Sequence, residues 1–447
     1  MGRRSKTRRL HVLMNGELAG DWTISATGNH LFAYHPDWPA SEFARPISIS
    51  MPLRPFDAPY RGPGVEAFFD NLLPDNPDIR RRVQSRFGAR SLQAFDLLSE
   101  IGRDCVGALQ LLPEDQDSGS VRKIQADPLD EAGIADILRG AASASPFRTV
   151  DSEAFRISIA GAQEKTALLK MKGKWHRPKG ATPTSHIFKL PMGSGIGRER
   201  IDMSASVENE WLCARVVEAF GIPAAACEMA SFEDQRALIV QRFDRQWSKD
   251  KSWLMRLPQE DMCQALAAPM GRKYESDGAP GMGEILGFLL GSRLREPDRR
   301  NFLKTQVLFW MLGAVDGHAR NFSIFIGRGG AFNLTPLYDI LSAYPVMGHG
   351  RNRLPPEKAK MAMAMAVRGG GKKQYAWDRI TRRHWLETAR VCGMESEIKG
   401  ILAELMERAG PAADEITAAL PAGFPARVAE PILSGLKKAA RRLDQAG

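Results

Sequence analysis

The chain has 447 residues, 43% of them hydrophobic and 26% charged, the composition of an ordinary soluble globular protein long enough to bury a large core and divide into two or more domains. No run of about 18 uncharged apolar residues occurs, so no membrane span is expected. Five scattered cysteines without a Cys-x-x-Cys pair and eight dispersed histidines exclude a disulfide framework and a thiolate or imidazole metal site, leaving oxygen as the only expected metal donor.

The excess of 62 Lys+Arg over 52 Asp+Glu, net +10, favours polyanionic company such as nucleic acid or nucleotide, although most of these basic clusters read as solvated faces. The basic start MGRRSKTRRL runs into an apolar stretch too short for a secretory leader, and the cytoplasm is the expected compartment.

Three regions follow in chain order. Residues 1–150 read as a strand-rich subdomain: "LHVLMNGELAGDWTI" carries an Asn-Gly hairpin signal, "NHLFAY" continues it, "AFFDNLLPDNPDIRRRVQSRF" turns helical after a proline break, and "GALQLL" returns to strand. A weak helix is expected over Glu131 to Leu138 in the turn-rich stretch before the boundary. Residues 151–245 read as strands in "AFRISIAG", "KTALLKM", "SHIFKLP" and "RALIVQRF", broken by one helix, "SASVENEWLCARVVEAFGIP", with a capping serine at its start and Gly221 at its end. From 246 to 447 helices dominate, among them "DRRNFLKTQVLFWMLGAV", apolar nearly all round and therefore buried. In "HGRNRLPPEKAKMAMAMAVRGGGKK" the Met/Ala alternation reads as core packing and Gly369-Gly370-Gly371 as a mobile loop.

A strand-rich lobe with one helix followed by a helical lobe is the layout of a protein kinase: an α+β, protein-kinase-like bilobal fold with an N-terminal strand-rich subdomain and an all-helical C-terminal lobe. Phosphoryl transfer needs a carboxylate at the acceptor hydroxyl and oxygen ligands that hold magnesium against the phosphates. In "DGHARN" Asp316 and Asn321 have the Asp-x-x-x-x-Asn spacing that kinases use for these roles. "NLTPLYDI" supplies Asp339 as the second metal-binding carboxylate; taken alone it reads equally well as a helix cap before Ile340. Lys189 in "SHIFKLP" follows the chain order expected of the phosphate-binding lysine, with Glu208 or Glu210 as its partner on the following helix. The small residues Ala160, Gly161 and Ala162 in "RISIAGAQEK" would let backbone N–H groups approach a polyphosphate, with Ser158 at the edge as a candidate acceptor.

The stretches "FFDNLLPD", "FDLLSEIGRD", "FRISIAGAQEKTALL", "RLPQEDMCQ", "KYESDG", "DGHARNFS" and "LTPLYDI" together resemble the HipA family, the serine/threonine-kinase toxins of bacterial HipBA toxin–antitoxin modules, over essentially the whole chain. That resemblance implies ATP and Mg2+ as cofactors, Asp316 as the catalytic aspartate, Asn321 and Asp339 as magnesium ligands, and Lys189 on the phosphates. It places Ile159, Ala160, Gly161, Ala162, Gln163, Glu164 and Lys165 in the loop over ATP. Gln241 and Phe243 fall at the hinge, His318 beside the nucleotide, and Ser158 at the autophosphorylation site whose modification expels the loop. The family pattern has glutamate where this chain has Gln241.

Further implied are a dimeric helix-turn-helix antitoxin of HipB type, operator DNA reached mainly through it, and a protein substrate of the aminoacyl-tRNA synthetase class, typically the glutamyl enzyme. Two rival readings remain at this level: a co-repressor that uses the kinase fold only as a scaffold, and a small-molecule kinase of related architecture. The complete set Lys189, Asp316, Asn321 and Asp339 argues against the scaffold, because nothing else requires those groups together.

Overall fold

Asn15 and Gly16 both take positive φ, 47° and 84°, the two-residue turn whose twist suits a β-hairpin, and join strands Arg8–Met14 and Glu17–Ile24. This computed structural model describes residues 7–142, 163–196, 201–355 and 361–445. The hairpin is the centre of an antiparallel sheet ordered Tyr60–Arg61, His30–Tyr34, Glu17–Ile24, Arg8–Met14, Leu109–Pro113. Helices Pro63–Asp70 and Ala94–Ile101 close its core, where Trp22 stacks on Phe69 at 4.1 Å. Helix Pro77–Phe87 follows the proline break as expected: the Asn76 side chain caps it and Gly88 ends it in the left-handed region.

The second sheet has six antiparallel strands ordered Cys227–Phe232, Gln235–Gln241, His186–Lys189, Lys165–Met171, Lys174–Pro178, Ala126–Pro128. Helix Glu131–Ala142 buries Ile134, Ile137 and Leu138 against Leu168 and Phe188 of this sheet. By packing, then, residues 126–142 go with the second sheet, and the division expected near 150 falls before Ala126. The helix expected after it spans Ser206–Ala219, but its first-turn serine is not the cap: the N-cap is Ala205, and the Ser206 hydroxyl accepts from the Met192 N–H at 3.0 Å.

Helix Arg295–Leu312 runs through the interior of the last region, with Phe302, Leu303, Val307, Leu308, Trp310 and Met311 almost fully buried under Glu395–Ala418 and Ala426–Gln445. This lobe is not all-helical. Strands Gln259–Asp261, Ser323–Ile326 and Phe332–Leu334 form a small sheet, and Ala362–Gly369 pairs with Lys372–Ala376. "MAMAMAV" is thus a strand covered on both faces, its Met363, Met365 and Val367 in the main core. The glycines after it are a tight turn rather than a mobile loop: Gly370 and Gly371 take positive φ, and both N–H groups donate to the Glu387 carboxylate at 2.9 and 2.8 Å.

A buried ion cluster joins the first subdomain to the second sheet. The Asp104 carboxylate meets Arg245 at 2.8 Å, Arg256 at 3.2 Å and Arg242 at 3.3 Å, and accepts from the Thr184 hydroxyl at 2.7 Å; Asp244 pairs with Arg242 and takes the Gly107 N–H at 2.7 Å. Burial alone would push the Asp104 carboxyl up, but the guanidinium groups outweigh it and hold it well below the usual range. Its stabilising contribution is therefore present above the unfolded carboxylate pKa and lost as pH falls through the lower folded one. Asp104→Ala, which leaves buried guanidinium charge uncompensated, is expected to cost about 3–5 kcal/mol in urea unfolding; a loss under about 1 kcal/mol would show that the arginines are satisfied without it.

Candidate active site

The interior helix stops where Gly313 takes φ 61°, and the chain turns into the polar stretch 316–321 before entering the strand Ser323–Ile326. Gly317 is required here, since a Cβ would fall 2.4 Å from the Phe309 ring. Ala319–Asn321 form a single tight turn closed by the Asn321 side chain, whose Oδ1 accepts from the His318 N–H at 3.3 Å. That turn aims Asn321 Nδ2 at Asp339 Oδ2, 3.4 Å away, and leaves Asp316 exposed at the loop's start.

Asp339 itself holds φ 61°, rare for a residue with a Cβ and characteristic of strained functional positions. No helix follows it, so the capping role open on sequence does not apply. Its Oδ1 accepts from Lys189 Nζ at 2.8 Å, and the same ammonium donates to Glu210 Oε1 at 2.6 Å. The choice between the two helix glutamates is thereby made: Glu208 instead pairs with Arg236 at 2.7 Å. Both glutamates are buried, contrary to their exposed look in the sequence.

Burial would lower the Lys189 ammonium, but Asp339 and Glu210 outweigh it and raise it above the ordinary lysine range. Asp339, with a side chain 36% exposed, is held low by Lys189 despite the burial cost, whereas burial dominates at Glu210 and raises it. Lys165, opposite Lys189 in the strand register, is lowered to about 8 by burial and by that neighbouring cation. Burial likewise lowers His318 to about 4, keeping the imidazole neutral.

Gln163, Lys165, Lys189, Gln241, Phe243, Asp316, His318, Asn321 and Asp339 all line one cleft of about 190 Å³ between the lobes. Ile187, Val240, Phe243 and Leu341 add apolar lining to the charged groups of the cleft. A lining of both kinds suits a ligand that carries an aromatic and a polyanionic part. The Gln241 N–H is already donated to the Ala226 carbonyl at 2.8 Å, which leaves the carbonyl as the backbone group it can offer. Asp339 presents a hard carboxylate oxygen beside the Asn321 amide, which here turns its nitrogen to Asp339 and its oxygen to the His318 N–H; with that amide rotated, the pair fits magnesium, which takes one or two carboxylates and completes its shell with other oxygens, phosphate and water.

Of the remaining candidates, Glu164 pairs with Arg82, and Ser158, Ile159, Ala160, Gly161 and Ala162 lie outside the described residues. Sequence reasoning missed four residues beside the cleft: Asp75, Lys273 and Tyr274, which sit in quoted motifs without an assigned role, and Arg320 within the loop itself. Tyr274 donates its hydroxyl to Asp316 Oδ1 at 2.6 Å, and Arg320 is ion-paired with Asp75.

Two family models match, the HipA-like C-terminal domain over residues 157–413, more than half of the chain, and the HipA N-terminal domain over residues 10–112. The candidate kinase Y4mE of Sinorhizobium fredii is 35% identical over 346 residues, covering 76% of this chain and 78% of that protein. The serine/threonine-protein kinase toxin HipA of Shewanella oneidensis is 28% identical over 349 residues, 75% of each chain. Among solved structures, the complex of Shewanella oneidensis MR-1 HipA, HipB and operator DNA aligns with 97% of both chains at a TM-score of 0.76 and 20% identity, a likeness of fold.

Proposed function

The chain belongs to the HipA family of kinases, and from that premise we propose that it uses ATP and Mg2+ to phosphorylate a serine of a protein acceptor as the toxin of a toxin–antitoxin module. The observation that carries this reading is the convergence of Lys189, Asp316, Asn321 and Asp339, drawn from positions 150 residues apart, on one cleft.

In this reading ATP lies with its base against Phe243 and the Gln241 carbonyl and its phosphates toward Lys189 and Lys165, with His318 alongside. Glu210 keeps the Lys189 ammonium oriented. Asn321 and Asp339 would hold magnesium, which neutralises the charge of the transferring phosphoryl group when bound. The exposed Asp316 carboxylate accepts the proton of the attacking serine hydroxyl. On the family likeness we assign the stretch Ile159 to Lys165 to the phosphates and Ser158 to self-inactivation; residues 158–162 lie outside the described residues.

For partners, we assign a HipB-like helix-turn-helix antitoxin dimer, operator DNA reached mainly through that complex, and an aminoacyl-tRNA synthetase substrate, of glutamyl type first. The net charge of +10 is favourable to a DNA-associated complex. Among the described residues no helix is long and apolar enough to cross a membrane.

Purified protein given labelled ATP and magnesium is expected to label itself at Ser158, and an extract treated with it to show one dominant phosphopeptide, from a synthetase. Ser158→Ala should remove the self-label; label persisting undiminished in that variant would place the acceptor elsewhere.

A further inference from the structure

The stretch Lys273-Tyr274-Glu275 has no part in the mechanism above, yet it touches the catalytic loop. Tyr274 donates to Asp316 Oδ1 at 2.6 Å, and its ring meets the His318 ring edge-on at 5.4 Å. Lys273 accepts the Ala319 N–H through its carbonyl, and its Nζ lies 5.2 Å from the Tyr274 ring centroid and 3.3 Å from Asp75 Oδ2. Asp75 belongs to the first subdomain, as the last residue of "FFDNLLPD" beyond helix Pro63–Asp70, and its other oxygen is ion-paired with Arg320. The Arg320 guanidinium also donates to the Asn71 carbonyl at 2.6 Å. Next to Tyr274, the Glu275 carboxylate accepts from the Ala366 N–H at 2.6 Å and pairs with Lys373 at 2.7 Å, seating the stretch on the strand pair Ala362–Gly369 and Lys372–Ala376.

The loop 316–321 is thus held near both ends from outside itself: Asp316 by Tyr274, Arg320 by Asp75, with Lys273 between the two holders. We propose that Tyr274 and Asp75 are positioning residues for phosphoryl transfer, so that the first subdomain is a working part of the catalytic centre. The inference rests on the kinase reading of the cleft. Asp316 is an exposed carboxylate on a short loop, free to turn about its side-chain torsions. Fixing Oδ1 with a phenol hydroxyl leaves Oδ2 aimed for the acceptor serine, and misplacement of a reacting group by about 1 Å costs on the order of 10²-fold in rate. Lys273 and Asp75 are each about one-fifth exposed, so their ion pair is largely shielded from solvent and holds its geometry beside the loop.

The test uses the full chain with ATP, magnesium and its phosphoryl acceptor. Tyr274→Phe is expected to lower kcat by about tenfold with KM for ATP and thermal midpoint unchanged, and to have less than about a twofold effect on the residual rate of Asp316→Asn, because the residue acts through that carboxylate. Asp75→Asn should lower kcat by a similar factor and speed amide hydrogen exchange in residues 316–321 above that in Arg295–Leu312. Wild-type turnover in Tyr274→Phe, an equal loss in both backgrounds, or unchanged exchange in Asp75→Asn would overturn the proposal. Absence of any transfer by the wild type would instead sink the kinase reading, while the exchange measurement would still decide whether Asp75 holds the loop.

Discussion

Asp316→Asn is expected to reduce kcat by about three orders of magnitude with folding and ATP affinity retained. The substitution is nearly isosteric, and the carboxylate is exposed, so no buried charge is stranded. An asparagine Oδ1 can still accept from Tyr274, which keeps the loop in place. Only the proton-accepting capacity at the second oxygen is lost. Single-turnover phosphoryl transfer and nucleotide binding, measured on the same preparation, separate the two effects. Growth arrest on induced expression should be relieved by the same change. Equal arrest by wild type and variant would point to an effect that does not need phosphoryl transfer, such as sequestration of DNA or antitoxin.

What the sequence made legible here was local. Asp316 and Asn321 share one short turn, so their spacing carries the geometry, and Asp339 lies in a fixed apolar frame nearby. Lys189 was recognisable from chain order. The choice of its partner was not: Glu208 and Glu210 are both buried, and which one reaches the lysine depends on how helix Ser206–Ala219 is rotated over the sheet, which spacing does not record. Asp75 and Tyr274 escaped for a related reason, since their contacts to Arg320 and Asp316 cross 245 and 42 residues and leave no periodic trace.

The misplaced boundary and the unexpected strands have other causes. Ala126–Pro128 is an edge strand of three residues containing a proline, which reads as a turn until Lys174–Pro178 pairs with it. Ala362–Gly369 is covered on both faces, so it shows no alternation of apolar and polar residues to mark it as a strand. In each case tertiary pairing supplied what local propensity did not.

Lys189→Met should abolish turnover and, unlike Asp316→Asn, destabilise the fold. The lysine side chain is 8% exposed and Glu210 6%, so removing the ammonium leaves a buried carboxylate without its hydrogen-bonded cation, with only the weaker influence of Lys165 to offset it and a second carboxylate at Asp339. Breaking a buried pair in this way costs about 3–5 kcal/mol, and most of it falls on Glu210, because Asp339 keeps contact with solvent. The pH dependence then changes sign. In the wild type Asp339 is held low by Lys189, so its contribution is present above the unfolded carboxylate pKa and fades as pH falls through the folded one. In the variant the stranded Glu210, already raised by burial, loses the cation that opposed that rise. Its protonation as pH falls should therefore recover stability instead of losing it. Lys189→Met combined with Glu210→Gln separates charge from packing: recovery of more than about half the lost stability, with turnover still absent, identifies the uncompensated glutamate as the cause. If the double variant is as unstable as the single one, the lysine's contribution lies in its contact with Asp339 or in the methylene packing of its stem, and the pairing with Glu210 is secondary.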